Sequence, residues 1–247
     1  MSQNIYDNSE FFEDFKKKRF QADSYNNLIE QPAIMPLLPD LAGKLVLDIG
    51  CGFGFNCMDF VEMGAARVLG IDISENMLEV ARTENTHENI EYMRLGMEQL
   101  DKIDGKFDLV YSSLAVSYAE DFKKLVSDVY GLLNEGGTFL FSQEHPLATA
   151  PIGGVQWIRD GAGKKTAGLI SDYLTEGERL QNWWIIDGVM VHHRPLSTII
   201  NTLINTGFVI TKVVEPAPTR QTLEINPSMY DEIHRPTSII FKTRKEA

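Results

Sequence analysis

VLDIGCGFGFN, Val46 to Asn56, joins a short apolar run to three glycines spaced two apart, Gly50, Gly52 and Gly54. The apolar run reads as a fully buried strand. The next stretch, Asn56 to Gly64 (NCMDFVEMG), has helical spacing and a glycine at its end. Glycine carries no Cβ, so the loop between strand and helix can turn sharply and admit a ligand against the main chain. The start of the helix adds unpaired N–H groups. Such a loop suits a dinucleotide, and it suits a nucleoside equally. Asp72 closes the next apolar run, 22 residues beyond Gly50. A carboxylate there can accept hydrogen bonds from both hydroxyls of a ribose.

Outward from this loop, Lys44 to Ser142 alternates between apolar runs and helical stretches. KLVLDIG, RVLGIDIS, NIEYMRL, FDLVYSS and TFLFSQ read as strands. SENMLEVARTEN reads as a helix with Ser74 as its N-cap and Met77, Leu78 and Ala81 on one face. EDFKKLVSDVYGLLNEGG reads as a helix closed by glycine. Strand and helix in alternation predict a parallel sheet covered on both faces. Residues 1–40 read as one or two helices with aromatic residues (Tyr6, Phe11, Phe12, Phe15, Tyr25), then a proline-marked connection. Residues 144–194 read as irregular, rich in glycine and tryptophan. A helix, PLSTIINTLINTG, and two strands, FVITKVVE and TSIIFKT, follow, the strands antiparallel for want of a long crossover. The expectation is an α/β fold in one domain, 1–247. It holds a lid segment (1–40), a cofactor-binding core (41–143), an insertion over the substrate (144–194) and a closing helix and strands (195–247), around a seven-stranded, mostly parallel sheet.

The 247 residues carry a net charge of −12, which disfavours a general nucleic-acid binder. No apolar run reaches the roughly 18 residues that span a bilayer, and the polar N-terminal stretch lacks the features of a signal or transit peptide. The two cysteines, Cys51 and Cys57, fit a reduced, cytoplasmic protein in which both are small buried residues. With no CxxC or HExxH pattern, no metal is expected.

A dinucleotide fingerprint would place its third glycine at position 55, where Phe55 stands. The pattern here is Asp48-x-Gly50-x-Gly52-x-Gly54. With GIDIS, FDLVYSSLAVSY and LLNEGGTFLFS downstream, the chain resembles the class I S-adenosylmethionine-dependent methyltransferases, and more narrowly their "type 11" branch acting on small molecules. The resemblance implies a Rossmann-like sheet in the order 3-2-1-4-5-7-6 with the last strand antiparallel. It implies S-adenosylmethionine as cofactor, leaving as S-adenosylhomocysteine. Cofactor contacts are implied at Asp48, Gly50, Cys51, Gly52 and Gly54, at Asp72, Ile73 and Met77, at Met97 and Glu98, and at Ser113 and Leu114. Asp72 is the ribose acid. Many relatives hold the adenine amine with an aspartate after the third strand, where this chain has Gly96. Met97 is then left to pack on the adenine and Glu98 to reach its amine. Ser112-Ser113-Leu114-Ala115 replaces the proline-rich motif of enzymes that methylate nucleobases, which disfavours that substrate.

Methyl transfer is an in-line displacement, and a base is needed only if the acceptor must lose a proton. His145, in SQEHP after the fifth strand, is the candidate base; alternatively it and Glu144 orient the insertion before Pro146. Tyr25, Tyr118, Trp183 and His193 are candidate acceptor contacts, His193 beside His192. Trp157, Trp183 and Trp184 would form aromatic walls or the insertion's own core. FKKKRF, Phe15 to Phe20, reads as a solvated helix face. Two other functions share these motifs: a non-catalytic, cofactor-binding regulatory protein and an NAD-dependent oxidoreductase.

Overall fold

The computed structural model describes residues 4–154, 156–183 and 186–246, without the side chains of 183 and 186. Strands β1 (Leu45–Ile49), β2 (Arg67–Asp72), β3 (Ile90–Arg94), β4 (Phe107–Ser112) and β5 (Leu133–Glu144) are followed by β6 (Gln156–Arg159), β7 (Lys165–Leu169), β8 (Gly177–Trp183), β9 (Ile186–His193), β10 (Phe208–Val214) and β11 (Ser238–Lys245). Seven of these form one sheet in the order β10-β11-β5-β4-β1-β2-β3. β1 to β5 pair in parallel, and β11 runs antiparallel between β5 and β10. With β6 to β9 set aside, this is the expected 3-2-1-4-5-7-6 order.

The central strands bury side chains on both faces. Leu47, Ile49, Val110, Phe139 and Phe141 face one core cluster. Val46, Val68, Leu109 and Tyr111 face the other. Helix α1 (Ser9–Arg19) belongs to the N-terminal segment, and α2 (Phe55–Glu62) follows the glycine loop. Helix α3 (Glu75–Glu84) starts at Ser74, whose Oγ accepts from the Met77 N–H at 3.2 Å. Helices α4 (Phe122–Leu132) and α5 (Leu196–Thr206) cover the first cluster through Leu125, Val129 and Leu203. Cys51 and Cys57 are buried, free thiols in the second.

Two expectations need correction. The helix before β5 stops at Leu132, short of its glycines, and Leu133 to Gly137 already belong to β5. There β5 shifts register against β4 between Phe107 and Leu109. Residues 144–194 are not irregular either. They form a helical turn, Pro146–Thr149, and two antiparallel hairpins, β6–β7 and β8–β9. Along β9 the buried positions alternate as Val189, Val191 and His193, the strand period, but neighbouring polar and glycine residues mask it in sequence. Among the described residues no helix is long and apolar enough to cross a membrane, and no cluster of His, Cys, Asp or Glu could hold a metal ion.

Candidate active site

The loop between β1 and α2 needs its glycines for distinct reasons. Gly50, Gly52 and Gly54 all adopt left-handed backbone, with φ of +72°, +53° and +79°. A Cβ at Gly50 would lie 2.6 Å from that of Ala115, and one at Gly54 would lie 2.2 Å from the Tyr92 hydroxyl. A Cβ at Gly52 would meet nothing within 4 Å, because Gly52 borders an open cavity.

That cavity, of about 320 Å³, lies at the carboxyl ends of β1, β2, β4 and β5, where open α/β sheets bind ligands. Ten of the twelve expected cofactor contacts line it. Gly50, Cys51 and Gly52 come from the first loop, and Asp72, Ile73 and Met77 from the end of β2 and the start of α3. Met97 and Glu98 follow β3, and Ser113 and Leu114 follow β4. Asp48 and Gly54 stand outside the lining. Asp72 Oδ2 accepts from the Gly52 N–H at 2.9 Å and Oδ1 from the Ser74 N–H at 2.8 Å. The carboxylate stays on the cavity wall. Burial raises the Asp72 pKa, and these N–H bonds partly offset it. Leu114 adopts φ +52°, strained backbone for a residue with a Cβ. Its N–H is held by the carbonyl and hydroxyl oxygens of Ser142 at 3.1 and 2.9 Å.

Behind the loop, burial pushes the Asp48 pKa up to about 7. Its Oδ2 accepts from the Cys57 thiol at 3.4 Å, while Oδ1 has no partner among the described residues. The open space over Gly52 and the Asp72 carboxylate on the cavity wall fit a loop shaped around a polar ligand.

The family profile described as a methyltransferase domain matches residues 47–141. The chain is 39% identical to the solved S-adenosylmethionine dependent methyltransferase of Mesorhizobium loti, over 87% of this chain and 97% of that one, with a TM-score of 0.79. A Listeria monocytogenes structure described as the same kind of enzyme is 36% identical over 88% and 97%, with a TM-score of 0.81. An uncharacterized protein of Haemophilus influenzae is 36% identical over 98% of this chain and 96% of its own length.

The chain belongs to the class I S-adenosylmethionine-dependent methyltransferases. It is an enzyme, and its cofactor is S-adenosylmethionine; the oxidoreductase and regulatory alternatives fall with that.

The far end of the cavity in this methyltransferase differs from expectation. Tyr118 lines it, its hydroxyl 3.1 Å from that of Tyr6. The candidate base His145 does not. Its Nδ1 accepts from the Leu147 N–H at 3.0 Å, capping the turn at Pro146, so Nε2 carries the proton and donates to Glu215 at 2.9 Å. Neither nitrogen is left to take a proton from an acceptor, and burial lowers the ring's pKa. His193 is likewise fixed between Thr149 Oγ1 at 2.7 Å and the Tyr173 carbonyl at 2.9 Å. The Tyr25 hydroxyl is 2.8 Å from that of Ser238, outside the lining. The Trp157 ring packs under Lys165 and Arg235 at 4.5 and 5.1 Å. The Trp183 side chain and Trp184 lie outside the described residues.

Glu144 takes the place expected of His145. It lines the cavity, and its Oε2 accepts from the Gln181 amide at 2.9 Å. Burial pushes its pKa up to about 7, against the lowering effects of the Gln181 bond and the Arg235 charge. Successive side chains of an extended segment point in opposite directions, so Glu144 and His145 cannot both face the ligand. That alternation was the available signal. The N-terminal segment supplies Tyr6, Phe15, Arg19 and Asn26 to the same cavity. Its Glu30 carboxylate is wholly buried behind the wall, where Oε1 accepts from Ser113 Oγ at 2.9 Å and Ser142 Oγ at 2.7 Å, and Oε2 accepts from the Gln31 amide at 2.9 Å.

Proposed function

We propose that this methyltransferase acts on a small-molecule acceptor seated between Tyr118 and Glu144, with cofactor held by the glycine loop, Asp72 and residues 97–98. The observation that carries the proposal is one continuous cavity whose walls are the glycine loop and Asp72 together with Tyr6, Tyr118 and Glu144. When bound, S-adenosylmethionine supplies an activated methyl group on a sulfonium leaving group. The protein's own part is to position, dry and deprotonate. In this reading Asp72 accepts from the ribose hydroxyls, Gly52 leaves room for the cofactor, Met97 packs on the adenine, and Glu98 receives the adenine amine. Glu144 takes the proton from an acceptor O–H or N–H, and the paired Tyr6 and Tyr118 hydroxyls orient it. Phe15, Phe53 and Phe55 keep water from the reacting atoms. The net charge of −12 argues for a small acceptor and against nucleic acid. The whole chain serves as one domain, residues 1–40 acting as lid and 144–194 as cover.

The test is thermal unfolding with and without S-adenosylhomocysteine. A ligand at 100 times its Kd adds about 2.7 kcal/mol, and each kcal/mol moves the midpoint of a domain this size by roughly 2–4 °C. Asp72→Ala should weaken S-adenosylhomocysteine at least tenfold, about 1.4 kcal/mol, and shrink that shift. Unchanged affinity in the variant would refute the placement of the ribose.

A further inference from the structure

Among the described residues, the charged side chains that line the cavity are Asp72, Glu98, Glu144 and Arg19. Arg19, the cation among them, stands beside the glycine loop. Its guanidinium lies over the Phe55 ring, 5.4 Å from the centroid, and Nη1 donates to Asn27 Oδ1 at 3.1 Å. The carboxylates whose charge acts on it are Glu30 and Asp59. Asp72 and Glu98 belong to the adenosine part of the cavity in the reading above. Glu144 is left at the acceptor end with Tyr6 and Tyr118, and among the described residues no cation lines that end.

The two carboxylate oxygens of Glu144 differ. Oε2 accepts from the Gln181 amide at 2.9 Å. Oε1 accepts from nothing among the described residues, yet it is not one of their enclosed orphan atoms. It therefore keeps accessible surface, and Glu144 lines the cavity, so that surface opens on the cavity. Among the described residues Glu144 makes no ion pair. Arg235 acts on it only from outside the lining, with its charge shared among Glu144, Glu232 and Asp231. Burial outweighs that help and holds the Glu144 pKa at about 7. The protein thus leaves this carboxylate short of positive charge on the side that faces the ligand.

The neighbours suit the same occupant. The Tyr6 and Tyr118 hydroxyls are 3.1 Å apart, and burial raises both pKa values, so both stay neutral phenols. One proton serves the bond between them, and oxygen lone pairs remain for a further donor. An ammonium group brings three donors and a positive charge. A carboxylate or phosphate would instead set like charges together away from water. A neutral hydroxyl would bring a donor and leave the charge of Glu144 uncompensated.

We propose that the methyl acceptor is an amine, which enters as an ammonium ion paired with Glu144 Oε1 and hydrogen-bonded to the tyrosine pair. This rests on the methyltransferase reading above and names the class of its acceptor. The ammonium gives one proton to Oε1, which frees the lone pair of the nitrogen. The nitrogen then bonds to the methyl carbon as the sulfur–carbon bond breaks. The bonding pair stays on sulfur, and the positive charge passes to the methylated amine.

The experiment uses the full-length protein saturated with S-adenosylhomocysteine at about pH 8, above the Glu144 pKa of about 7. It is titrated calorimetrically with ethylamine and benzylamine, with ethanol and benzyl alcohol, and with benzoate. At least one amine should bind at least tenfold more tightly than the alcohol of the same skeleton, and benzoate should not bind. Glu144→Gln should abolish the preference for the amine and leave S-adenosylhomocysteine affinity unchanged. Glu144→Asp keeps the charge and should keep the preference, and it decides the matter if Glu144→Gln does not fold. The proposal fails if neither amine binds, if an alcohol binds as well as its amine, or if benzoate binds more tightly than benzylamine. It fails equally if Glu144→Gln retains the preference or Glu144→Asp loses it. Should S-adenosylhomocysteine itself not bind, the cofactor reading falls separately, and the comparison of amine with alcohol is then read on the unliganded protein.

Discussion

Glu144→Gln lowers methyl transfer by about 10²–10⁴, the usual contribution of a positioned general base, while S-adenosylhomocysteine binds as before. The substitution keeps the shape of the side chain and an oxygen for the Gln181 amide, so the fold survives. What it removes is the proton acceptor at the end of β5. Because the Glu144 pKa stands at about 7, the rate in the natural protein should climb as pH rises toward 7 and level off above it. Stability should move the other way. The folded pKa lies above the ordinary 4.5, so between these values the folded chain binds more protons than the unfolded one. The contribution of Glu144 to stability therefore falls as pH rises from 4.5 to 7. Asp48, also at about 7, adds a slope of the same sign, so the difference between natural protein and Glu144→Gln isolates the Glu144 part. Initial rates of S-adenosylhomocysteine release, on a protic acceptor identified by screening, decide the matter. A variant within tenfold of the natural rate, or a profile flat from pH 5 to 8, would remove Glu144 from the chemistry.

The second large effect is expected at Glu30. Its carboxylate ties the N-terminal segment to Ser113 beyond β4 and Ser142 on β5. Glu30→Ala removes the acceptor of three donors, of which Ser142 Oγ is fully buried, and opens a void. Leaving a buried donor unsatisfied costs about 1–3 kcal/mol, so the midpoint should fall by roughly 2–12 °C. S-adenosylhomocysteine affinity should fall with it, because Arg19 and Asn26, on the same segment, line the cavity. Thermal unfolding and calorimetry measure both. A loss below about 1 kcal/mol would mean that apolar packing alone holds the lid.

The residues expected around the cofactor fall together around one cavity because that part of the site is local. Gly50 to Gly54 and Asp72 sit at strand ends fixed by hydrophobic period, and ten of the twelve expected cofactor contacts reach one cavity. The acceptor half depends on contacts between distant segments. Nothing near His145 in sequence says that Leu147 and Glu215 occupy its ring. Only the phase of β5 turns Glu144 to the cavity in its place. The hairpins of 144–194 were missed because their buried positions alternate with polar ones over short strands.

Consider the order in which these walls can be built. β11 lies between β5 and β10, and the Tyr25 hydroxyl on the N-terminal segment meets Ser238 at the start of β11. Synthesis makes residues 5–30 long before that strand exists. The Tyr25 contact must therefore wait until β11 has inserted into the sheet. A chain stalled before Ser238 has its glycine loop, Asp72 and the partners of Glu30, Ser113 and Ser142, but lacks the partner of Tyr25. One contact of the N-terminal segment is thus made only after β11 has joined the sheet.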